Sequence, residues 1–168
     1  MHIFIVGPMA SGKSTIGKKL AKTLGVDFID IDKEIERKAG VEISRIFEVE
    51  GEEGFREREK KTLKELSGSN NSVISTGGGA VLRIENRELM KSKGKVIYLE
   101  TPVELQLERT LKDKNRPLLS KGNKEETLRS LKKLRDPLYK EIANITIKQN
   151  KKNDYQILKE IIKNLNVN

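Results

Sequence analysis

Gly7-Pro8-Met9-Ala10-Ser11-Gly12-Lys13-Ser14 follows directly on the apolar run Ile3-Phe4-Ile5-Val6, and this junction decides the fold. It is the G-x-x-x-x-G-K-[ST] phosphate-binding loop in the context the motif requires, a strand before it and a helix after it. The helix is legible because Ile16, Leu20, Ala21 and Leu24 share one face and Gly25 follows as a stop. Backbone N–H groups of such a loop and of the helix N-terminus converge on one spot and bind phosphate oxygens. Lys13 adds a positive charge near the β- and γ-phosphates, and the Ser14 hydroxyl is offered to Mg²⁺. With Gly7, Met9, Ala10, Ser11, Gly12 and Thr15 completing it, the loop at 7–15 is expected to bind a nucleoside triphosphate.

Working outward, the chain has 168 residues, enough for one domain with a real core and too few for two. Apolar and charged residues each make up 35%, so the core must be lean. Cysteine is absent, which excludes a disulfide framework and a thiolate metal site. No run is long enough to span a membrane, and Met1 leads straight into the first strand without room for a signal peptide, so a cytoplasmic enzyme is expected. The net charge of +9 invites a nucleic-acid reading, but the excess lies mainly in Arg109–Lys140 and Lys148–Lys152 with almost no aromatic residues to stack on bases. A solvated helical face or a cover over nucleotide phosphates fits better, and neither a nucleic-acid nor a membrane partner is expected.

Short apolar runs at Ile3–Val6, Phe28–Ile29, Val73–Ile74, Lys95–Leu99 and Ile145–Ile147 read as buried strands. Helical patterns lie between them at Lys13–Leu24, Lys33–Lys38, Ser44–Val49, Glu53–Leu66, Ile84–Lys91, Val103–Leu111, Lys124–Leu134 and Asp154–Leu165. This alternation predicts an α/β fold with a parallel sheet covered on both faces, binding its ligands beyond the carboxyl ends of the strands. The chemically suggestive residues do follow strands: the phosphate loop, Asp30-Ile31-Asp32, and Thr76-Gly77-Gly78-Gly79-Ala80. The irregular stretch at 112–123, rich in turn formers and basic residues, has the character of a lid over phosphates.

In many phosphate-loop enzymes a carboxylate after an apolar strand holds Mg²⁺ directly or through water. Asp30 is the candidate for that role here. Glu100 mimics it after Val96-Ile97-Tyr98-Leu99, but Thr101-Pro102 starts a helix at once, with Thr101 as the expected N-cap. Asp32 is the candidate to orient or deprotonate an acceptor hydroxyl; the alternative is a plain helix cap. Three consecutive glycines at Gly77, Gly78 and Gly79 are expected to serve no packing purpose and cost conformational entropy; they make sense if backbone must approach a ligand closely, the alternative being an ordinary loose turn. Arg116, in Arg-Pro within the basic loop, is the candidate phosphate clamp. By residue type alone Arg56 and Arg135 read as surface residues of charged helices.

Six segments together resemble the shikimate kinases in order and spacing, across essentially the whole chain: the phosphate loop through Thr15, Phe28-Ile29-Asp30-Ile31-Asp32, Gly51-Glu52-x-x-Phe55-Arg56, Ser75-Thr76-Gly77-Gly78-Gly79-Ala80-Val81, Asn115-Arg116-Pro117-Leu118-Leu119 and Arg135-Asp136-Pro137-Leu138-Tyr139. The resemblance implies the P-loop nucleoside-monophosphate-kinase fold, a three-layer sandwich on a five-stranded parallel sheet of order 2-3-1-4-5 with a lid. It implies one kinase domain over 1–168, with a substrate-binding region at about 32–60 and a lid at about 110–123. The reaction implied is transfer of the γ-phosphoryl group of ATP to the 3-hydroxyl of shikimate, with Mg²⁺, in aromatic amino acid biosynthesis. Asp32 would bind the shikimate hydroxyls; Arg56 and Arg135 would clamp its carboxylate, with Glu59 supporting Arg56. Gly77, Gly78 and Gly79 would supply backbone donors, and Ile43, Phe47 and Phe55 the apolar side, with Pro117 and Leu118 closing over it. Lys13 and Arg116 would stabilise the transferred phosphoryl group, Ser14 would ligate Mg²⁺ with Asp30 behind it through water, and Arg109 and Lys152 would meet the nucleotide's base side. The chain departs from the family at Asn150-Lys151-Lys152-Asn153-Asp154, where relatives often carry Arg and Pro. A monomer is expected.

Other readings are less well supported by the residues. A gluconate kinase of the same fold would also take a small hydroxylated carboxylate, but the triple glycine and the arginine pair favour shikimate. A GTP-binding switch needs Asn-Lys-x-Asp after a strand, and the nearest string, Asn123-Lys124-Glu125-Glu126, ends in Glu. A nucleic-acid-dependent ATPase would need a Walker B carboxylate and a stacking platform, and neither is visible.

Overall fold

A computed structural model describes residues 1–111 and 123–166. Five strands, β1 (His2–Val6), β2 (Asp27–Asp30), β3 (Ser72–Ser75), β4 (Gly94–Glu100) and β5 (Ile145–Lys148), form one parallel sheet in the order β2-β3-β1-β4-β5. The order is the expected one. Period-two alternation explains why the sheet needs cover on both faces. Phe4, Val6, Ile74, Val96 and Tyr98 enter one buried cluster, while Ile5, Val73, Ile97 and Leu99 enter the other.

Helix α1 (Lys13–Leu24) and α7 (Asp154–Leu165) cover the second face through Ile16, Leu20, Ala21, Ile157 and Ile161. The opposite face carries α2 (Ile31–Ala39), α3 (Ile43–Leu66), α4 (Ile84–Lys93) and α6 (Lys124–Ile142), with α5 (Val103–Thr110) beside α6. Each fully buried Ile or Leu stabilises the fold by about 1.5–3 kcal/mol, which lets a lean core suffice. Gly25 and Gly40 end α1 and α2 in the left-handed conformation, as helix stops require. The break expected between two helices near residue 51 sits at Gly51, whose φ of 70° interrupts α3.

Two sequence expectations are corrected. Helix α6 runs on to Ile142 through Pro137 rather than ending at Leu134. A proline there forfeits a backbone hydrogen bond, but Tyr139 and Ile142 beyond it are buried in the core, and that burial outweighs the loss. Thr101 does not cap α5: Pro102 is the N-cap, and the buried Thr101 hydroxyl donates to the Leu99 carbonyl at 3.2 Å.

Gly17 lets α1 lie close on the sheet. A Cβ there would stand 2.5 Å from the Phe28 ring and 3.3 Å from Ile5 Cδ1. Gly17→Ala is therefore expected to destabilise the protein by about 1–3 kcal/mol through overpacking, read as a lower Tm or urea midpoint. An unchanged midpoint would mean the ring moves aside without cost.

Candidate active site

Because β1 is central and all strands run the same way, the segments after β1, β2 and β3 emerge side by side. They bound an open cleft of about 520 Å³, lined by Met9 through Thr15, Asp30, Asp32, Ser75 through Gly78, Arg109 and Gln149, among others. Lys13 and Asp32, expected to act together, thus share one cleft.

The phosphate loop owes its shape to backbone conformations few residues adopt. Gly7 has φ 152° and leaves no room for a Cβ, which would meet the Leu99 carbonyl at 2.9 Å. Gly12, at φ 81°, is the N-cap of α1 and makes no side-chain cap; the first turn holds no acidic residue. The helix N-terminus is thereby left for an anion. Lys13 Nζ donates to the carbonyls of Gly7 at 2.9 Å and Pro8 at 2.8 Å, so its charge stands at the mouth of the loop.

Asp30 and Asp32 take different tasks. The strand ends at Asp30, and α2 begins at once, with Asp30 as its N-cap: Oδ1 accepts from the N–H groups of Asp32 at 3.0 Å and Lys33 at 3.3 Å. Asp30 Oδ2 accepts from the Ser14 hydroxyl at 2.5 Å, and Ser75 Oγ lies 3.5 Å from the same hydroxyl. These are hard oxygen donors at the phosphate end of the cleft, the donor type Mg²⁺ prefers, so the residues fit the ion. Capping by Asp30 leaves Asp32 free of that duty. Its buried Oδ1 has no hydrogen-bond partner. Burial, reinforced by Asp30, pushes the Asp32 carboxyl above its ordinary range against the opposing pull of Lys13 and Arg56.

Behind Asp32 lies a buried charge cluster. Arg56 is 6% exposed and Glu59 fully buried; Nη1 donates to Glu59 Oε1 at 2.9 Å, and Nη2 to Glu52 at 3.2 Å. Burial raises the Glu59 pKa, opposed chiefly by Arg56. Periodicity on a charged helix hides this: Arg56 and Arg58 read alike, yet Arg58 pairs with Glu50 at the surface. Gly77 and Gly79 have no space for side chains. A Cβ on Gly77 would lie 2.8 Å from Glu59 Oε2 and 3.1 Å from Asp32 Oδ1, and one on Gly79 would lie 2.2 Å from Arg56 Nη2. This corrects the expectation that the triple glycine has no packing purpose: it is a packing surface for Arg56, Glu59 and Asp32.

Arg135, 5% exposed, reaches the same glycines from α6. Nη1 stands 3.4 Å from where a Gly78 Cβ would be, and burial with the nearby Arg56 charge lowers its pKa. Tyr139, one turn on, donates to the Gly78 carbonyl at 2.5 Å and stacks on Tyr98 at 4.9 Å. The continuation of α6 through Pro137 is what places this hydroxyl; a helix ending at Leu134 would not. Phe47 and Phe55 contact each other at 4.9 Å and, with Ile43, belong to the adjoining apolar cluster.

At the edge of the cleft expected to meet the nucleotide's base, Arg109 Nη1 donates to the Ala10 carbonyl at 2.8 Å and Nη2 to Gln149 Oε1 at 3.2 Å. Gln149 and Gln106 were invisible as site residues in the sequence, because a lone Gln after a strand or on a helix carries no motif. Lys152 does not line the cleft; its ammonium pairs with Glu160 of α7. At the departure noted above, Asp154 lines the cleft and pairs with Lys19 at 2.7 Å. Arg116, Pro117 and Leu118 lie outside the described residues.

Comparison with known proteins points the same way. A shikimate kinase family model matches residues 9–166. Shikimate kinase from Acinetobacter baumannii (strain AYE) is 56% identical over 149 residues, 89% of this chain and 83% of that protein. Shikimate kinase from Pseudomonas paraeruginosa is 49% identical over 98% of this chain and 96% of its own. Among solved structures, shikimate kinase from Acinetobacter baumannii in complex with shikimate superposes with a TM-score of 0.94 at 51% identity, covering 98% of this chain and 92% of its own. A gluconokinase from Sinorhizobium meliloti covers 98% of this chain and 90% of its own, with a TM-score of 0.64 at 15% identity, which is a likeness of fold alone. With that family model spanning nearly the whole chain and relatives sharing about half their residues with it, the chain belongs to the shikimate kinase family.

Proposed function

We propose that this cleft transfers the γ-phosphoryl group of ATP to the 3-hydroxyl of shikimate, giving shikimate 3-phosphate and ADP. The observation that carries the reading is Asp32, with a buried unpartnered oxygen: it lines the cleft with the phosphate loop and stands with Glu59, the partner of Arg56, against Gly77. In this reading Arg56 and Arg135 receive the shikimate carboxylate, since planar guanidinium groups bind carboxylates bidentately. Asp32 Oδ1 accepts the hydroxyl and takes its proton as the oxygen attacks phosphorus. Lys13 and the N–H groups of the loop hold the phosphates in line and stabilise the charge that develops on them. Mg²⁺, bound with ATP beside Ser14 and Asp30, would neutralise β- and γ-phosphate charge. Arg116, by family resemblance, adds a further cation from the lid. The gluconate kinase alternative is not favoured, because it shares the fold without the sequence identity.

The chain acts as a single kinase domain, as a monomer in the cytoplasm, without a nucleic-acid partner. No helix among the described residues is long and apolar enough to cross a membrane. The test is ADP release by the purified protein with Mg²⁺ and ATP, in the presence of shikimate, gluconate or neither. Strong stimulation by shikimate alone is expected. Stimulation by gluconate, or by neither acid, would overturn the assignment of the acceptor.

A further inference from the structure

A loop that turns its N–H groups inward to phosphate must turn its carbonyls outward into protein, where each needs a donor. Among the described residues every carbonyl from Gly7 to Ser11 has one. Lys13 serves Gly7 and Pro8 from within the motif. The next three are served from outside it. Gln106 of α5 donates to Met9 at 3.1 Å, Arg109 to Ala10 at 2.8 Å, and Gln149, just past β5, to Ser11. Both glutamines are almost fully buried, at 1% and 2% exposure. Ala10, at the middle of this run, has φ 59°, a left-handed conformation that a non-glycine residue holds only when its surroundings impose it.

Gln149 is bound at both ends of its amide. Its Nε2 donates to Ser11 while its Oε1 accepts from Arg109 at 3.2 Å. The assignment of the two atoms is forced, because a guanidinium only donates and a carbonyl only accepts. Neither carboxylate nor thioether could make both bonds. We propose that Gln149 is a positioning residue for the nucleotide, acting through the Ser11 carbonyl and Arg109 to hold the loop in its phosphate-binding shape. Gln106 does the same at Met9. The proposal rests on reading the cleft as the ATP site.

The test measures binding of ATP, of inorganic tripolyphosphate and of shikimate to the wild-type chain and to Gln149→Glu, with steady-state kinetics alongside. Glutamate keeps the acceptor for Arg109 but turns an oxygen toward the Ser11 carbonyl. Loss of one such bond at a buried carbonyl is expected to weaken ATP and tripolyphosphate alike by about tenfold. Shikimate affinity and kcat at saturating ATP should stay within about twofold. Weakening of ATP without tripolyphosphate would assign Gln149 to the base instead and overturn the proposal. Equal weakening of shikimate would reduce its role to general stability, and unchanged ATP binding would remove it altogether. Failure of the wild-type chain to bind ATP would overturn the underlying site reading, and this one with it. Should Gln149→Glu not fold, Gln106→Met frees the Met9 carbonyl and is expected to show the same split, with the same outcomes decisive.

Discussion

Asp32→Asn is expected to lower kcat by about 10²- to 10⁴-fold, the range of a positioned general base, while leaving ATP affinity nearly unchanged. The asparagine keeps the size of the side chain and its place in the first turn of α2 but cannot take a proton. Asp30, which caps the helix, is untouched, so the geometry survives. The same substitution is expected to raise Tm at neutral pH. Burial penalises the charged Asp32 carboxylate in the folded chain and lifts its pKa above the unfolded value. Between those two pKa values the folded state holds the proton that the unfolded state has released, so wild-type stability falls as pH rises through that window. Asn removes that cost, at about 2–4 °C of Tm for each kcal/mol in a chain of this size. The Tm difference should therefore shrink as the pH is lowered through the window. Turnover of the wild type should fall on the acid side at a pH above the ordinary Asp range, because a protonated Asp32 cannot accept. Near-normal turnover of Asp32→Asn would remove Asp32 from the chemistry, and a lowered Tm would contradict the burial argument.

Gly79→Ala is expected to raise the KM for shikimate by at least about 30-fold, equivalent to roughly 2 kcal/mol, and to lower Tm, with ATP affinity within about twofold. The backbone of Gly79, at φ −95°, accepts alanine without strain. The effect comes from contact: the new Cβ would stand 2.2 Å from Arg56 Nη2, 2.5 Å from the central Cζ and 2.6 Å from Nη1 of the guanidinium. Arg56 must then leave its place against Glu59, which stays behind buried, and breaking a buried pair costs about 3–5 kcal/mol. Shikimate binding and stability are thus coupled at one methyl group. An unchanged KM with an unchanged Tm would mean that Arg56 relocates freely and is no fixed part of the carboxylate site.

Much of the site was legible in the sequence because it depends on local chemistry. The phosphate loop needs glycines at fixed offsets, a lysine and a hydroxyl, and each stands where Gly7, Gly12, Lys13 and Ser14 are observed. The rest was hidden for physical reasons. The family resemblance singles out Arg56, but residue type does not separate it from Arg58; only the packing of α3 against the triple glycine buries one and solvates the other. Pro137 signals a helix end by local rule, and only the core contacts of Tyr139 and Ile142 carry the helix past it. Thr101 has the residue type of a cap, but its hydroxyl is spent on Leu99.

The sequence by itself determined the strand–loop–helix unit, the alternation that forces a parallel sheet, and the identity of the anion-binding loop. These follow from short-range geometry, where spacing of a few residues sets which groups can meet. Tertiary structure alone decided which aspartate caps and which is left with an unpartnered oxygen, which arginine is buried against the glycines, and which distant glutamines hold the loop's carbonyls. Those roles join Gly79 to Arg56 and Ser11 to Gln149 across the fold. No local pattern encodes such pairs, because burial and hydrogen-bond partnership are properties of the packed chain.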